Sequence, residues 1–159
     1  MRYLMVDRIL KIEKGQSAVG LKNVTQSEDV FTHHFPDMPV MPGALTLEAM
    51  AQTCGRLIAA SSDFTLRPIL LSVEKARFKR MIVPGDQMRI YVTMQGIGTH
   101  AAQLAAVVEV DGSMAAEATL KFLLVEANEI AATNMRRQFE QLTASDNAAE
   151  QRVLRGLAV

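Results

Sequence analysis

The sequence predicts an α+β fold, a curved antiparallel sheet wrapped around one long buried helix and followed by a helical tail. Three observations carry this. Residues 44–60 are apolar almost all round, with Glu48 and Arg56 the only charges, and a helix without a polar face is a buried helix. Two strand-like runs precede that helix and four follow it. Consecutive antiparallel strands need an apolar cover for one face, and this is the one long apolar helix available to supply it.

The elements follow in order. Residues 3–13 read as a first strand, ended by the turn signal Lys14-Gly15. Residues 18–24 suit a second strand, with Val19 and Leu21 alternating before polar Asn23. Residues 26–31 suit a short helical turn or loop that Ser27 could cap. Pro36, Pro39 and Pro42 exclude regular helix over 35–42. The buried helix then runs to Ser61, Ser62 and Asp63. Residues 68–80 mix apolar and basic side chains and read as a strand, and Pro84-Gly85-Asp86 as a turn. Ile90, Val92 and Met94 alternate with polar neighbours, as do Leu104, Ala106, Val108 and Val110. Asp111-Gly112 is a hairpin signal, because both central positions of such a turn need positive φ. After it, Met114, Ala116, Ala118, Leu120, Phe122 and Leu124 take every second position. In the tail, Ala131, Met135, Phe139 and Leu142 follow helical spacing, and Val153, Leu154 and Leu157 suggest a second short helix.

Composition narrows the function classes. With 17 basic and 17 acidic residues the formal net charge is zero, so no global field draws in nucleic acid. The single cysteine, Cys54, excludes an internal disulfide and a Cys-based zinc site, and fits a reducing, cytoplasmic compartment. No signal peptide or membrane span is expected, since no apolar run reaches the length either requires.

The chemistry concentrates between His33 and Gln52. A carboxyl buried in an apolar helix must pair, change its pKa or do work. In an apolar site it can stay protonated near neutral pH and act as an acid, and a neutral imidazole is its natural complement as base. Glu48 and His34 could thus remove a proton from one carbon and give one to a departing oxygen, which is what dehydrating a β-hydroxyacyl group requires. Gly43 stands at the helix start, where free N–H groups and the helix dipole could hold a thioester carbonyl; equally, it could simply permit the turn. Gln52, four residues after Glu48 on the same helix face, either orients the carboxyl or meets a neighbouring backbone group. His33, His100, Cys54 and the ten methionines read as surface, core or lining residues.

The stretch HFPDMPVMPGALTLEAMAQ resembles the HFPGxPxxPGxLxxEAMAQ signature of the 3-hydroxyacyl-acyl-carrier-protein dehydratases of FabZ type. KARFKRMIVPGDQM, VDGSMAAEATLKFLLV and the opening MVDRILKIEKG resemble further stretches of that family. The resemblance implies a hot-dog domain over residues 1–125, with residues 126–159 an added helical extension. It implies that His34 and Glu48 are catalytic, that the Gly43 N–H binds the thioester carbonyl, that the Val40 carbonyl orients the histidine, and that Gln52 closes the motif. It also implies that the two catalytic residues of one site come from different protomers, in a homodimer or trimer of dimers, with the acyl chain in a tunnel at the interface. No cofactor is implied, because the substrate rides on the phosphopantetheine arm of acyl carrier protein.

Glutamate rather than aspartate at position 48 is similar to the dehydratase-only branch. Asp37 departs from the pattern, standing where the family has glycine three residues from His34. Lys75, Arg77, Lys79 and Arg80 form a local basic cluster that would steer an acidic carrier protein or its phosphate, or is an ordinary solvated strand face. As a regular strand, it would place Lys75, Arg77 and Lys79 on one face and Arg80 opposite. The expected activity is dehydration of (3R)-3-hydroxyacyl thioesters to trans-2-enoyl thioesters, in fatty acid or polyketide- or polyene-like synthesis. The rivals are a hot-dog thioesterase, with Glu48 activating water, and a non-catalytic hot-dog subunit that pairs with an active partner.

Overall fold

The computed structural model describes residues 3–144. The second tail helix expected around Val153–Leu157 lies outside them. Six strands form one antiparallel sheet: β1 (Arg8–Glu13), β2 (Ser17–Asn23), β3 (Leu66–Phe78), β4 (Gln87–Ile97), β5 (Ala101–Val110) and β6 (Ser113–Glu126). Their spatial order is β1-β2-β4-β5-β6-β3, so β1 and β3 are the edges. The helix α1 (Gly43–Ser61) lies across the sheet and contacts every strand. This is the hot-dog arrangement.

The inward positions of the strands make the core with α1. Met88, Ile90 and Val92 of β4, Leu104 and Val108 of β5, and Leu120 of β6 are fully buried against Met50, Leu57 and Ile58 of α1. Each such side chain contributes about 1.5–3 kcal/mol by leaving water. One contact sets how closely α1 approaches β2. A Cβ on Gly20 would lie 2.6 Å from the Thr53 hydroxyl, so only glycine lets the strand pass there. Asp111 and Gly112 take φ of 53° and 73°, the positive pair that their hairpin turn requires.

Four expectations need correction. Residues 3–7 are not part of β1: the Gln52 side chain holds the backbone of Tyr3 and Met5, and Asp7 donates its N–H to the Leu21 carbonyl at 2.7 Å while its carboxylate accepts from the Asn23 N–H at 2.6 Å. Ser27 caps nothing; its hydroxyl lies 3.2 Å from that of Thr25, and the short 3-10 turn Asp29–Thr32 starts after Glu28 without a side-chain cap. β3 ends at Phe78 rather than Arg80. It is also irregular, with register shifts against β6 between Leu70 and Ser72 and between Glu74 and Arg77, and with Lys75 at φ 52°. An added residue in one strand breaks the period of two, so Lys75, Arg77 and Lys79 do not share a strand face.

A second helix, α2 (Glu129–Thr143), packs across the C-terminal end of α1. Asn128 caps it by accepting from the Ala131 N–H at 2.9 Å. Met135 and Phe139 of α2 meet Ala59, Ala60 and Phe64, with the Phe139 and Phe64 rings edge to face at 5.5 Å. Arg136 lies 4.7 Å above the Phe64 ring. No helix of the described residues is long and apolar enough to cross a membrane.

Candidate active site

The loop before α1 is pinned at both ends. Phe31 is buried, and the Met41 N–H donates to the Ile82 carbonyl at 2.7 Å. Between them Phe35 and Met38 exchange reciprocal backbone hydrogen bonds of 3.1 Å. The prolines keep this segment out of helix, and Pro42, extended at ψ 135°, gives way to α1 at Gly43.

His34 is half-buried in this loop, stacked on Phe35 at 4.2 Å across a cis peptide. Its Nδ1 lies 2.8 Å from the Val40 carbonyl, and the Val40 N–H donates back to the His34 carbonyl at 3.0 Å. A carbonyl only accepts, so Nδ1 must carry the hydrogen. In the neutral ring that leaves Nε2 as the lone-pair nitrogen. His34 and Val40 share a cavity of about 560 Å³ with Gly43, Phe78, Lys79 and Arg80.

Gly43 opens α1 with no capping side chain, so the first N–H groups of the helix lack intrahelical acceptors. The Phe78 ring sits over it: a Cβ on Gly43 would lie 2.9 Å from the ring's Cζ. The close ring is a constraint on Gly43 beyond the two readings from sequence: a side chain here would have to displace Phe78. Sequence reasoning passed over Phe78, although it lies within KARF beside the basic residues.

Glu48 is half-buried farther along α1. Gln52 donates to its Oε1 at 2.9 Å, donates to the Tyr3 carbonyl at 2.8 Å, and accepts from the Met5 N–H at 3.0 Å. The two alternatives for Gln52 are thus both realised by one side chain. Glu48 lines a second cavity, about 270 Å³, with Gln52, Arg56, Arg67, Phe122 and Met135. That cavity has no lining residue in common with the one at His34. Within one chain, His34 and Glu48 do not meet in a single site.

The basic cluster divides. Lys79 pairs with Glu117 at 3.1 Å and Arg77 with the same carboxylate at 3.9 Å. Arg80 lies 3.6 Å from Asp86 and 3.8 Å from Asp111. Only Lys79 and Arg80 line the His34 cavity. Asp37 is exposed in the loop turn, and the described contacts of His34 run to Val40 and Phe35 rather than to it. Burial pushes the Cys54 thiol far above its ordinary value, which keeps it protonated and inert.

The model of the FabA-like domain family matches residues 1–119. This chain belongs to that family. Within it, a FabZ-named 3-hydroxyacyl-[acyl-carrier-protein] dehydratase of Rickettsia akari is 44% identical over 117 residues, 72% of this chain and 81% of the relative. The protein of the same name from Methylobacterium radiotolerans is 41% identical over 127 residues, 77% of this chain and 80% of the relative. Among solved structures, the dehydratase heterocomplex ApeI:P of Xenorhabdus doucetiae matches with TM-score 0.59 and 19% identity, over 75% of this chain and 99% of that one. The smu.793 protein of Streptococcus mutans, solved with acetyl CoA, matches with TM-score 0.60 and 14% identity over 77% and 90%. At those identities the structures establish the fold. The FabA-like match ends at residue 119, within β6 and before α2.

Proposed function

We propose that the protein dehydrates (3R)-3-hydroxyacyl thioesters, carried on acyl carrier protein, to trans-2-enoyl thioesters in fatty acid biosynthesis. The observation that carries the catalytic assignment is the state of His34. Its Nδ1 is committed to the Val40 carbonyl, so Nε2 faces the chemistry as a base, in the same cavity as the uncapped helix start at Gly43.

The reaction is redox-neutral and needs only protein groups. The thioester oxygen accepts from the Gly43 N–H, which stabilises negative charge as it forms there. His34 Nε2 removes a proton from C2. The Glu48 carboxylic acid gives its proton to the C3 hydroxyl, and the C–O bond breaks to release water. The double bond forms between C2 and C3, and the proton on His34 returns to Glu48 through solvent.

The acid comes from a second protomer. His34 and Glu48 of one chain line different cavities, and the open edge of the sheet supplies a means of pairing. β3 is that edge, and its Ile69, Leu70, Leu71 and Val73 are exposed. An unpaired apolar edge strand is a template for another chain, which favours a homodimer built through β3 or a trimer of such dimers. Lys79 and Arg80 line the His34 cavity, which supports their meeting the carrier's phosphate-bearing arm.

The test is direct. Purified protein given a 3-hydroxyacyl-carrier-protein substrate should produce the absorbance of a conjugated enoyl thioester. Thiol release without that absorbance would mark a thioesterase. Neither signal across chain lengths would mark a subunit that depends on an active partner.

A further inference from the structure

Arg56 is a half-buried cation in the wall of the site, and no ion pair among the described residues engages it. It follows Glu48 and Gln52 at four-residue spacing, so the three form one stripe on α1. Its Nε is buried and has no hydrogen-bond partner, and burial pulls the guanidinium below its ordinary value. A buried polar atom without a partner is uncommon, and a buried charge without one is costly. A ligand group that pairs with it there is one way such a group is satisfied.

The surroundings say what kind. Arg56 lines the Glu48 cavity, whose walls include Phe122 and Met135 and whose second cation is Arg67. It also lines a neighbouring chamber of about 610 Å³, together with Gln52, Gln138 and Gln141. No acid lines that chamber, and Glu48 is the only acid lining the cavity. The two spaces share Gln52 and Arg56. Along α1 the rise from Glu48 to Arg56 is about 12 Å. A chain anchored at Glu48 by its C3 hydroxyl would therefore run past Phe122 and Met135 and arrive at a guanidinium that borders glutamine amides. Gln138 and Gln141 of the chamber and Met135 of the cavity belong to α2, so this helix walls both spaces.

We infer that the preferred substrate carries a carboxylate at the far end of its acyl chain, and that Arg56 binds it. This rests on the dehydratase reading above. It supplies the missing counter-charge at the moment of binding, through a charge-assisted hydrogen bond that a planar guanidinium forms well.

The experiment compares (3R)-3-hydroxyacyl-carrier-protein substrates in pairs of equal chain length, one ending in a methyl group and one in a carboxylate, with the full-length protein. The readout is kcat/KM from the enoyl absorbance. The carboxylate-ended member should be preferred by about tenfold or more at the best length. In Arg56→Leu that ratio should fall to one or below, and Arg56→Lys should retain part of it. Sedimentation of each variant separates this from a subunit contact. A wild-type enzyme that turns over the methyl-ended member equally well or better overturns the inference and leaves the dehydratase reading in place. So does an Arg56→Leu protein that keeps the preference, or that loses its oligomer without losing it. Enoyl product from neither member overturns both.

Discussion

Gln52 donates a hydrogen bond to the Glu48 carboxylate at 2.9 Å while the same amide holds the backbone of Tyr3 and Met5. The carboxylate is therefore not loose on its helix. It is held by a side chain that is itself fixed from two sides by the N-terminal segment. Gln52→Leu keeps the shape and removes the donor. The bond becomes charge-assisted as the Glu48 acid gives up its proton, where such bonds are worth about 1.5–3 kcal/mol, so kcat should fall by about tenfold or more. KM should change far less, because the acid is used in the transition state rather than in binding. Steady-state kinetics on one substrate separates the two.

Gly43 and Phe78 make a second prediction. A methyl group on residue 43 would meet the Phe78 ring at 2.9–3.1 Å, so the ring must move. The ring is half exposed and can shift, so Gly43→Ala should cost little stability. It should nonetheless lower kcat/KM by about tenfold to a hundredfold, because displacement at the carbonyl site disturbs alignment of the reacting atoms. Pairing it with Phe78→Ala should recover part of the loss. Thermal melts beside the kinetics check both halves.

Two of the contacts that hold α2 can be removed singly. Asn128→Ala deletes the cap and should destabilise the helix by about 1 kcal/mol. Phe139→Ala removes the ring against Phe64 and should cost about 3 kcal/mol at most, since Phe139 is only partly buried. Hydrogen exchange should show lost protection over Glu129–Thr143, with the strands of the core unchanged.

Cys54 should resist thiol reagents in the native protein and react fully once the chain is unfolded. It is completely buried on α1, and its raised pKa leaves no thiolate at neutral pH. Labelling with and without denaturant, read by mass, tests this.

Much of the fold was legible because its signals are local. β6 alternates with the period of a strand, and α1 lacks a broad polar face. What stayed hidden depended on contacts between distant residues. The bulges of β3 come from its pairing with β6, and no local pattern announces that Lys75 takes a positive φ. Tyr3 and Met5 look like strand but answer to Gln52, 47 residues beyond Met5. At the site, His34, Gly43 and Glu48 could be named from chemistry and motif. That His34 and Glu48 of one chain serve different sites was implied by the family resemblance alone; residue chemistry does not show it, because it depends on where the loop and α1 lie relative to β3. Arg56 was visible as a charge in an apolar helix, but its lack of a partner is a fact of packing.

The central claim is that one active site uses His34 of one protomer and Glu48 of another. Two inactive variants, His34→Ala and Glu48→Gln, should each fold and each lack dehydratase activity. Mixed in equal amounts and allowed to exchange subunits, they should regain about a quarter of wild-type activity, because half of the dimers are mixed and each mixed dimer has one intact site. A mixture proven to contain mixed dimers, yet showing no enoyl product, would contradict the account.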